Sequence, residues 1–429
     1  MKEEFIKNKI GFLPPAGWNL TKIGGLADIN IESISTKNDP EEKIYYIDLG
    51  SVNEGIIDLP QTPIKFRNAP SRARRVVHEN DVLLSTVRPY LKGFAKADKN
   101  IAGYICSTGF AVLTPEDEVD SEYIFQSLFT ETFQRQFEQL LVGSSYPAIN
   151  NSDVKKLFIA LPKSKEERKD IVTILSKWDK AISTLEDLIQ AKKRYKKGLM
   201  QQLLSPNGSG RAGQKRFPEF EGEPWVEVVL GEAFQRVTEK NEAEKITNVL
   251  TISAQDGLVS QTDYYNKSVA SKDLSRYIVL KKGDFAYNKS YSEGYPLGAI
   301  KRLEEYESGV LSPLYICFRP DSSTVDSDFM THFFENGGLD HEIYKIAREG
   351  ARNHGLLNVS IKDFLKITFK VPKMEEQKRI ASVLNQAKKE IGLLESELTA
   401  IKKQKKGLMQ QLLTGKVRVN KEVDYQHAL

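Results

Sequence analysis

The sequence has few of the features that define secreted, membrane-spanning or metal-binding proteins. Its 429 residues include two cysteines, Cys106 and Cys317, which are too few for a disulfide framework or a cysteine-based zinc site. No stretch approaches the ~18 consecutive apolar residues of a membrane span, and the N-terminal residues have no apolar signal-peptide core. We therefore expect a cytoplasmic location.

An excess of charge of one sign is also missing. The chain carries 62 Lys+Arg against 58 Asp+Glu, a formal net charge of +4. Any argument for nucleic-acid binding must therefore rest on local clusters of cations. Length alone predicts two or three domains with sizeable hydrophobic cores.

Catalytic motifs are absent as well. The sequence has no phosphate-binding loop, no GxSxG or HExxH motif, and no Asn/Asp-Pro-Pro-aromatic motif of an amino-methyltransferase. The five histidines show no metal-ligand spacing. Pro320 and Asp321 with Glu376 and Lys378 could be read as a nuclease pattern, but we expect Glu376 on the solvated face of a helix. The chain is therefore predicted to have no catalytic residues and no metal site.

What is present is a repeat that spans the chain. The nine residues KKGLMQQLL at 196–204 recur unchanged 209 residues later, at 405–413. Weaker matches continue upstream, and Trp18 and Gly24 correspond to Trp225 and Gly231. The sequence therefore predicts two copies of one unit, about 1–207 and 208–429, with an internal pseudo-twofold.

Each copy divides into a mixed part and a helical part. Short apolar runs between turn signals predict strands. A helix capped by Asp120 or Ser121 is expected to follow, and its phenylalanines at every fourth position from 125 to 137 are typical of core packing. The expected boundaries are a mixed domain at 1–160, a helix at 163–204, a connector at 205–222, a second mixed domain at 223–371, a second helix at 373–414 and a tail at 415–429.

A heptad pattern runs along the second helix from Ile380 to Leu412, and the same pattern lies 209 residues earlier, from Ile171 to Leu203. A helix of about 40 residues, ~60 Å long, with one narrow apolar stripe needs a partner. We expect the two helices to pair with each other, and the pattern itself leaves their direction open.

Polar and basic loops of the mixed parts supply the candidate DNA-binding residues. Arginine in an exposed loop suits phosphate contacts and can read guanine bidentately. For these loops the alternative is a solvated loop or a structural turn. The lysine-rich runs at 192–197 and 402–406 could contact DNA phosphates or an acidic partner, and the equal alternative is that they complement the helix dipole. In the first copy the candidates are Arg67, Arg72, Arg74, Arg75, Arg88, Tyr90, Lys92, Ser144 and Tyr146; in the second they are Lys289, Tyr291, Ser292, Tyr295, Arg352, Asn353 and His354.

These features together resemble the DNA-specificity (S) subunits of Type I restriction–modification systems. The resemblance covers nearly the whole chain. It rests on the duplicated KKGLMQQLL helix end, the Pro-to-Ile start of each helix (162–171 and 372–380), the RFPEF motif at 216–220 with Trp225, and the GARNHG stretch at 350–355.

The resemblance implies an α+β fold with two tandem target-recognition domains, related by an internal pseudo-twofold and joined by two long helices paired as an antiparallel coiled coil. Each domain is expected to read one half of a bipartite, asymmetric target in double-stranded DNA. Two modification subunits, which bind S-adenosylmethionine and methylate adenine, are expected on the helices, and restriction subunits that use ATP and Mg can join them. This chain is expected to bind no cofactor. The alternative is a coiled-coil protein–protein scaffold without DNA readout.

Overall fold

The structure is a computed structural model that describes residues 2–141, 147–204, 216–265, 273–347 and 357–419. The chain forms two compact units. Unit 1 comprises Met1–Glu186 with Ser396–Leu429, and unit 2 comprises Asp187–Glu395. The division falls within both long helices and not at the connector. In the described parts of the chain, every helix is too short or too polar to cross a bilayer.

Unit 1 is a mixture of short strands and helices. Its helices are α1 (Lys2–Ile10), α2 (Glu118–Leu128), α3 (Glu131–Leu140), α4 (Asn151–Val154) and the first part of α5 (Lys165–Leu203). Its strands are β1 (Trp18–Lys22), β2 (Ala27–Ile29), β3 (Lys43–Ile44), β4 (Tyr46–Ile47), β5 (Val52–Asn53), β6 (Ile56–Ile57), β7 (Ile64–Lys65), β8 (Ala73–Val76), β9 (Val82–Ser85), β10 (Phe94–Lys96), β11 (Ile105–Ser107), β12 (Phe110–Pro115) and β13 (Phe158–Pro162).

A four-stranded sheet organises unit 1, with strand order β10-β9-β12-β2. The strands β1 and β13 pair antiparallel, with Trp18 opposite Pro162, and so bring the two ends of the mixed part together. A three-stranded sheet has the order β4-β11-β8. Strand β9 is buried along its whole length, as expected for a strand in the centre of a core.

The phenylalanine stripe lies in the core, but on two helices instead of one. Phe133 and Phe137 are buried, and Phe125 and Phe129 pack against the same core cluster. The first helix begins at Glu118 and is capped by Asp117 instead of Asp120 or Ser121, because the Asp117 side chain accepts the Asp120 amide. The stripe breaks at Thr130, whose extended backbone ends the first helix and begins the second.

Unit 2 has the same kinds of elements. Its helices are α6 (Leu230–Ala233), α7 (Gln261–Tyr265), α8 (Ser327–Glu335), α9 (Asp340–Ile346), α10 (Ile361–Leu365) and the first part of α11 (Met374–Leu412), whose last part lies in unit 1. Its strands are β14 (Val226–Val229), β15 (Phe234–Arg236), β16 (Leu250–Ser253), β17 (Gly257–Ser260), β18 (Ile278–Lys281), β19 (Phe285–Asn288), β20 (Ala299–Arg302), β21 (Ser308–Leu311), β22 (Ile316–Pro320) and β23 (Thr368–Val371).

The sheets of unit 2 repeat the strand order of unit 1. The four-stranded sheet runs β20-β19-β22-β15, which matches β10-β9-β12-β2 strand for strand. The pair β14-β23 corresponds to β1-β13, and the pair β18-β21 corresponds to β8-β11. The expected α+β class is confirmed, and the four-stranded sheet and these two strand pairs follow one order in both units.

In unit 1, the last part of α11 runs antiparallel to the first part of α5. Lys402 pairs with Glu186 at 2.6 Å, and Lys405, further along α11, pairs with Asp179, earlier on α5. Lys405 is a polar residue at a heptad position of the apolar stripe that runs from Ile380 to Leu412. Its ion pair explains how a cation is accommodated there.

In unit 2, the end of α5 lies against the start of α11. Leu203 and Leu384 are buried in one core cluster with the strands of this unit. Lys192 pairs with Glu390 at 2.6 Å. Each long helix therefore buries its apolar stripe within both units, as a helix with one narrow apolar stripe requires.

Candidate nucleic-acid interface

In unit 1, the loop after β9 is held beside the segment that precedes α4. The Thr86 hydroxyl donates to the Gly109 carbonyl at 2.8 Å, and the Thr86 carbonyl accepts the Ile149 amide at 2.9 Å. The Arg88 amide donates to the Pro147 carbonyl at 2.8 Å. Two loops that lie about sixty residues apart in sequence therefore form one surface.

The predicted residues of the loop after β9 lie at this surface. Arg88 and Lys92 flank the short helical turn that carries Tyr90, whose side chain is 37% exposed. The predicted residues Ser144 and Tyr146 lie outside the described residues.

Three of the four arginines between positions 67 and 75 are occupied by contacts inside unit 1. Such contacts fix the side chains in place and compete with phosphate or base contacts. Arg67 pairs with Glu41 at 2.5 Å, the Arg74 guanidinium lies 5.1 Å from the centre of the Phe66 ring, and Arg75 Nη1 donates to Ser33 Oγ at 2.9 Å.

Arg72 differs from its neighbours because it adjoins the surface formed by the two loops. Its side chain is exposed, and its carbonyl accepts the Thr108 amide at 2.8 Å. Thr108 precedes Gly109, the residue that binds Thr86. Of the four arginines, Arg72 is the one best placed to reach a ligand there.

In unit 2, the corresponding loop after β19 is held in the same way. The Lys289 carbonyl accepts the Leu357 amide at 2.9 Å, which links this loop to the segment that precedes α10. Tyr291 is 64% exposed, and Ser292 and Tyr295 close a turn through a backbone hydrogen bond of 2.9 Å. The predicted residues of the second loop, Arg352, Asn353 and His354, lie outside the described residues.

Tyr295 is held more tightly than the other predicted residues of this loop. Its hydroxyl donates to the Glu335 carboxylate and accepts from Lys301 Nζ at 3.0 Å, and the Lys301 ammonium lies 4.5 Å from the centre of its ring. Burial, reinforced by the hydrogen bond to Glu335, raises the pKa of Tyr295 above its ordinary value. Tyr295 therefore anchors the loop to α8 and β20.

A buried aspartate fixes the strand from which each loop emerges. Asp81, before β9, accepts the His78 amide at 2.7 Å and the Thr114 hydroxyl at 2.6 Å, and burial raises its pKa. Asp284, before β19, accepts the Lys281 amide at 2.8 Å and pairs with Arg319 at 2.6 Å. The same position in both units thus anchors the loop with different partners.

The expectation that Glu376 lies on a solvated helix face is wrong. Its side chain is buried, and its carboxylate accepts from Arg216 Nε at 3.0 Å and again from Nη2. Arg216 also donates to the Glu223 carbonyl. Arg216 belongs to the RFPEF motif. This motif therefore packs on the start of α11, and its arginine neutralises the Glu376 carboxylate, which the heptad pattern predicts on the exposed face of the helix.

Unit 1 has a matching pair that sequence reasoning missed. Arg418 donates to the Glu167 carboxylate at 2.5 and 2.8 Å, and to the Ala16 carbonyl at 2.9 Å. Glu167 and Ala16 are the counterparts of Glu376 and Glu223 in the repeat. In each unit, an arginine that follows one long helix binds a glutamate at the start of the other; we call these two contacts the arginine clamps.

Within the described ranges, no group of three or more His, Cys, Asp or Glu side chains has the arrangement of a metal site.

Comparison with known proteins gives the class of the chain. Residues 15–193 match the model of the Type I restriction modification DNA specificity domain. The Type I restriction enzyme MjaVIII specificity subunit of Methanocaldococcus jannaschii is 27% identical over 442 residues, which cover 97% of each chain.

Two solved structures share the fold. A chain from a study of complex assembly and conformational transition of the type I R-M system has a TM-score of 0.55 and 20% identity, with 95% of this chain and 100% of that chain covered. The Type I restriction–modification S subunit from M. genitalium has a TM-score of 0.54 and 17% identity, with 92% and 96% covered. The resemblance to Type I specificity subunits that the sequence indicates is confirmed, and with the first of these relatives it extends over nearly the whole chain.

Proposed function

We propose that this chain is a non-catalytic DNA-reading subunit that recognises a bipartite, asymmetric target in double-stranded DNA. The domain of unit 1 reads one half-site and the domain of unit 2 reads the other. The long helices α5 and α11 act as the spacer, an antiparallel coiled coil that relates the two tandem domains by an internal pseudo-twofold.

One observation carries the proposal. Both units place the loop after the same central strand beside the segment before the same short helix, through the Ile149–Thr86 and Leu357–Lys289 hydrogen bonds. The scaffold is equal in the two units, but the residues presented differ, with Arg88 and Tyr90 in one and Tyr291 in the other. Equal scaffolds with different polar side chains are what two readers of different half-sites require.

Partner recruitment is proposed for the long helices. In unit 2 they expose three large apolar side chains: Leu188 at 42%, Tyr195 at 62% and Leu393 at 62%. Apolar side chains that stay exposed on a rigid helix suit a partner that packs on it. We propose that two modification subunits dock on the helices and that restriction subunits join in a larger complex.

The chemistry then belongs to the partners. We propose that S-adenosylmethionine binds the modification subunits, that ATP and Mg bind the restriction subunits, and that this chain binds none of them. An adenine in a duplex must leave the base stack before its amino group can be methylated, so this chain has to hold the DNA where the partner can reach the base.

Half-site-specific variants test the proposal. The complex of this chain with its modification subunits is titrated with the intact target and with duplexes in which either half-site is scrambled. Arg72→Ala is expected to weaken binding about 5- to 100-fold through one half-site, and Tyr291→Ala through the other, since one lost base contact costs about 1–3 kcal/mol. Lys99→Ala and Lys245→Ala remove exposed lysines outside these loops and serve as controls.

The result that would reject DNA reading is equal affinity of the native complex for target and scrambled duplexes at every salt concentration. That outcome would leave the coiled-coil scaffold as the function. Loss of both half-sites from a single loop variant would instead reject the assignment of one domain to each half.

Recruitment has its own test. Leu393→Glu places a charge on the exposed apolar face and is expected to abolish co-purification of the modification subunits. Lys389→Glu, an exposed change one turn earlier on α11, is the control. Co-purification of the Leu393→Glu chain at native levels would contradict the docking proposal.

A further inference from the structure

A strained turn lies in the unit 1 surface, at Pro89–Leu91. Among the described residues, six that are not glycine have positive φ, and two of them flank this turn: Arg88 at 47° and Lys92 at 56°. Residues with a Cβ rarely adopt this conformation, which persists only where the surrounding structure imposes it.

Contacts on both sides impose the conformation. The Arg88 amide is fixed by the Pro147 carbonyl, and the Leu91 amide donates to the Arg88 carbonyl at 2.9 Å. Lys92 Nζ pairs with Glu54 Oε1 at 3.0 Å, while the Glu54 amide donates to the Lys92 carbonyl at 3.1 Å. The turn is therefore a rigid projection and not a loose loop.

The projection presents apolar side chains between two cations. Leu91 is 59% exposed and Tyr90 is 37% exposed, while Pro89 is buried beneath them. Single exposed apolar residues are common on protein surfaces. Here, however, the backbone is held in a strained form that keeps them outward.

The corresponding loop of unit 2 has no turn flanked by non-glycine residues with positive φ. Residues 289–298 are all described, and positive φ occurs among them only at Gly294 and Gly298, where a glycine adopts it without strain. The exposed large apolar side chain of this loop is Tyr291, an aromatic with a polar hydroxyl. The two half-sites should therefore be treated differently.

We propose that Leu91, supported by Tyr90, inserts between base pairs of the half-site read by unit 1 and unstacks one base step there. The proposal rests on the proposed function of DNA reading. Apolar side chains on a rigid element are the means by which many proteins open a base step and kink the duplex. Leu91 is thus a positioning residue that distorts the DNA of one half-site only.

Permanganate oxidation of unpaired or unstacked thymines tests the insertion. The probe is the intact target duplex, with thymines placed through both half-sites, bound to the complex of this chain with its modification subunits. The half-site of unit 1 is the one that responds to Arg72→Ala. With the native chain, the thymine that pairs with the methylated adenine is expected to be reactive. Thymines at one further base step in that half-site are expected to be reactive as well.

Leu91→Ala is expected to reduce that additional reactivity at least fivefold and to leave the other half-site unchanged. Leu91→Met keeps the apolar bulk and should retain the reactivity, and Ile31→Ala, which trims an exposed apolar residue of the same unit, should change nothing. Reactivity that persists in Leu91→Ala, or its absence from the native complex bound to its target, overturns the insertion while DNA reading stands. Absence of any sequence preference overturns the proposed function itself.

Discussion

Glu376→Ala tests how much the buried ion pair with Arg216 stabilises the start of α11. The Glu376 side chain is 1% exposed and meets the Arg216 guanidinium through two parallel hydrogen bonds. Its removal leaves a guanidinium whose side chain is only 15% exposed without a counter-charge. Loss of one partner of a buried pair costs about 3–5 kcal/mol. The neighbouring Glu375 is exposed, so Glu375→Ala should change the free energy of unfolding by less than about 0.5 kcal/mol.

The second arginine clamp, between Arg418 and Glu167, predicts a loss of stability in unit 1. Arg418 lies near the C-terminus of the chain, yet it binds Glu167 and the Ala16 carbonyl in unit 1. Arg418→Ala should therefore loosen unit 1 and not unit 2. Because the Arg418 side chain is 39% exposed, solvent replaces part of the lost contact, and we expect a smaller cost of about 1–2 kcal/mol.

Hydrogen exchange with peptide resolution measures both effects on the full chain. A loss of 3 kcal/mol corresponds to about 100-fold more frequent local opening, which Glu376→Ala should produce in the first turns of α11 and in β14 and β23. Arg418→Ala should raise exchange at the start of α5 and in β1 and β13. Exchange in Glu376→Ala equal to that in Glu375→Ala, or raised equally in both units, would refute the reasoning.

Three further predictions concern the core, pH and salt. Leu384→Ala, at a fully buried position, should cost about 2–5 kcal/mol in urea unfolding, and Leu393→Ala, at an exposed one, less than about 0.5. Burial lowers the pKa of His332, whose Nε2 meets Asn385 Oδ1 at 2.8 Å. The neutral ring stabilises the fold above the ordinary pKa of 6.5, and this contribution is lost as pH falls below it, so His332→Gln should flatten the dependence of stability on pH below 6.5. Arg88→Ala should reduce the slope of log affinity for DNA against log salt by about one.

The long helices are the part of the fold that sequence reasoning predicts best. A pattern repeated over about five heptads has few other interpretations, and the helices at Lys165–Leu203 and Met374–Leu412 lie within two residues of the expected ends. The break in the phenylalanine stripe from Phe125 to Phe137 is harder to predict, because the spacing of the phenylalanines is unchanged across Thr130. Only the local backbone at that residue divides it into two helices.

The candidate site was only partly predictable, because its contacts join segments that are distant in sequence. The run of cations from Arg67 to Arg75 has an obvious basic pattern, but the structure engages three of its four arginines with residues that the topology brings beside them. Nothing near Glu376 in sequence indicates that an arginine 160 residues earlier will bury its charge.

Exchange of one domain tests the central claim most directly. Residues 1–160 are replaced by the corresponding domain of another specificity subunit, and methylated adenines are mapped across a genome that carries the chimera with its modification subunits. The account predicts a motif in which one half has changed while the other half and the length of the gap stay as they were. A motif altered in both halves, or one not altered at all, would contradict the assignment of one reader to each half-site.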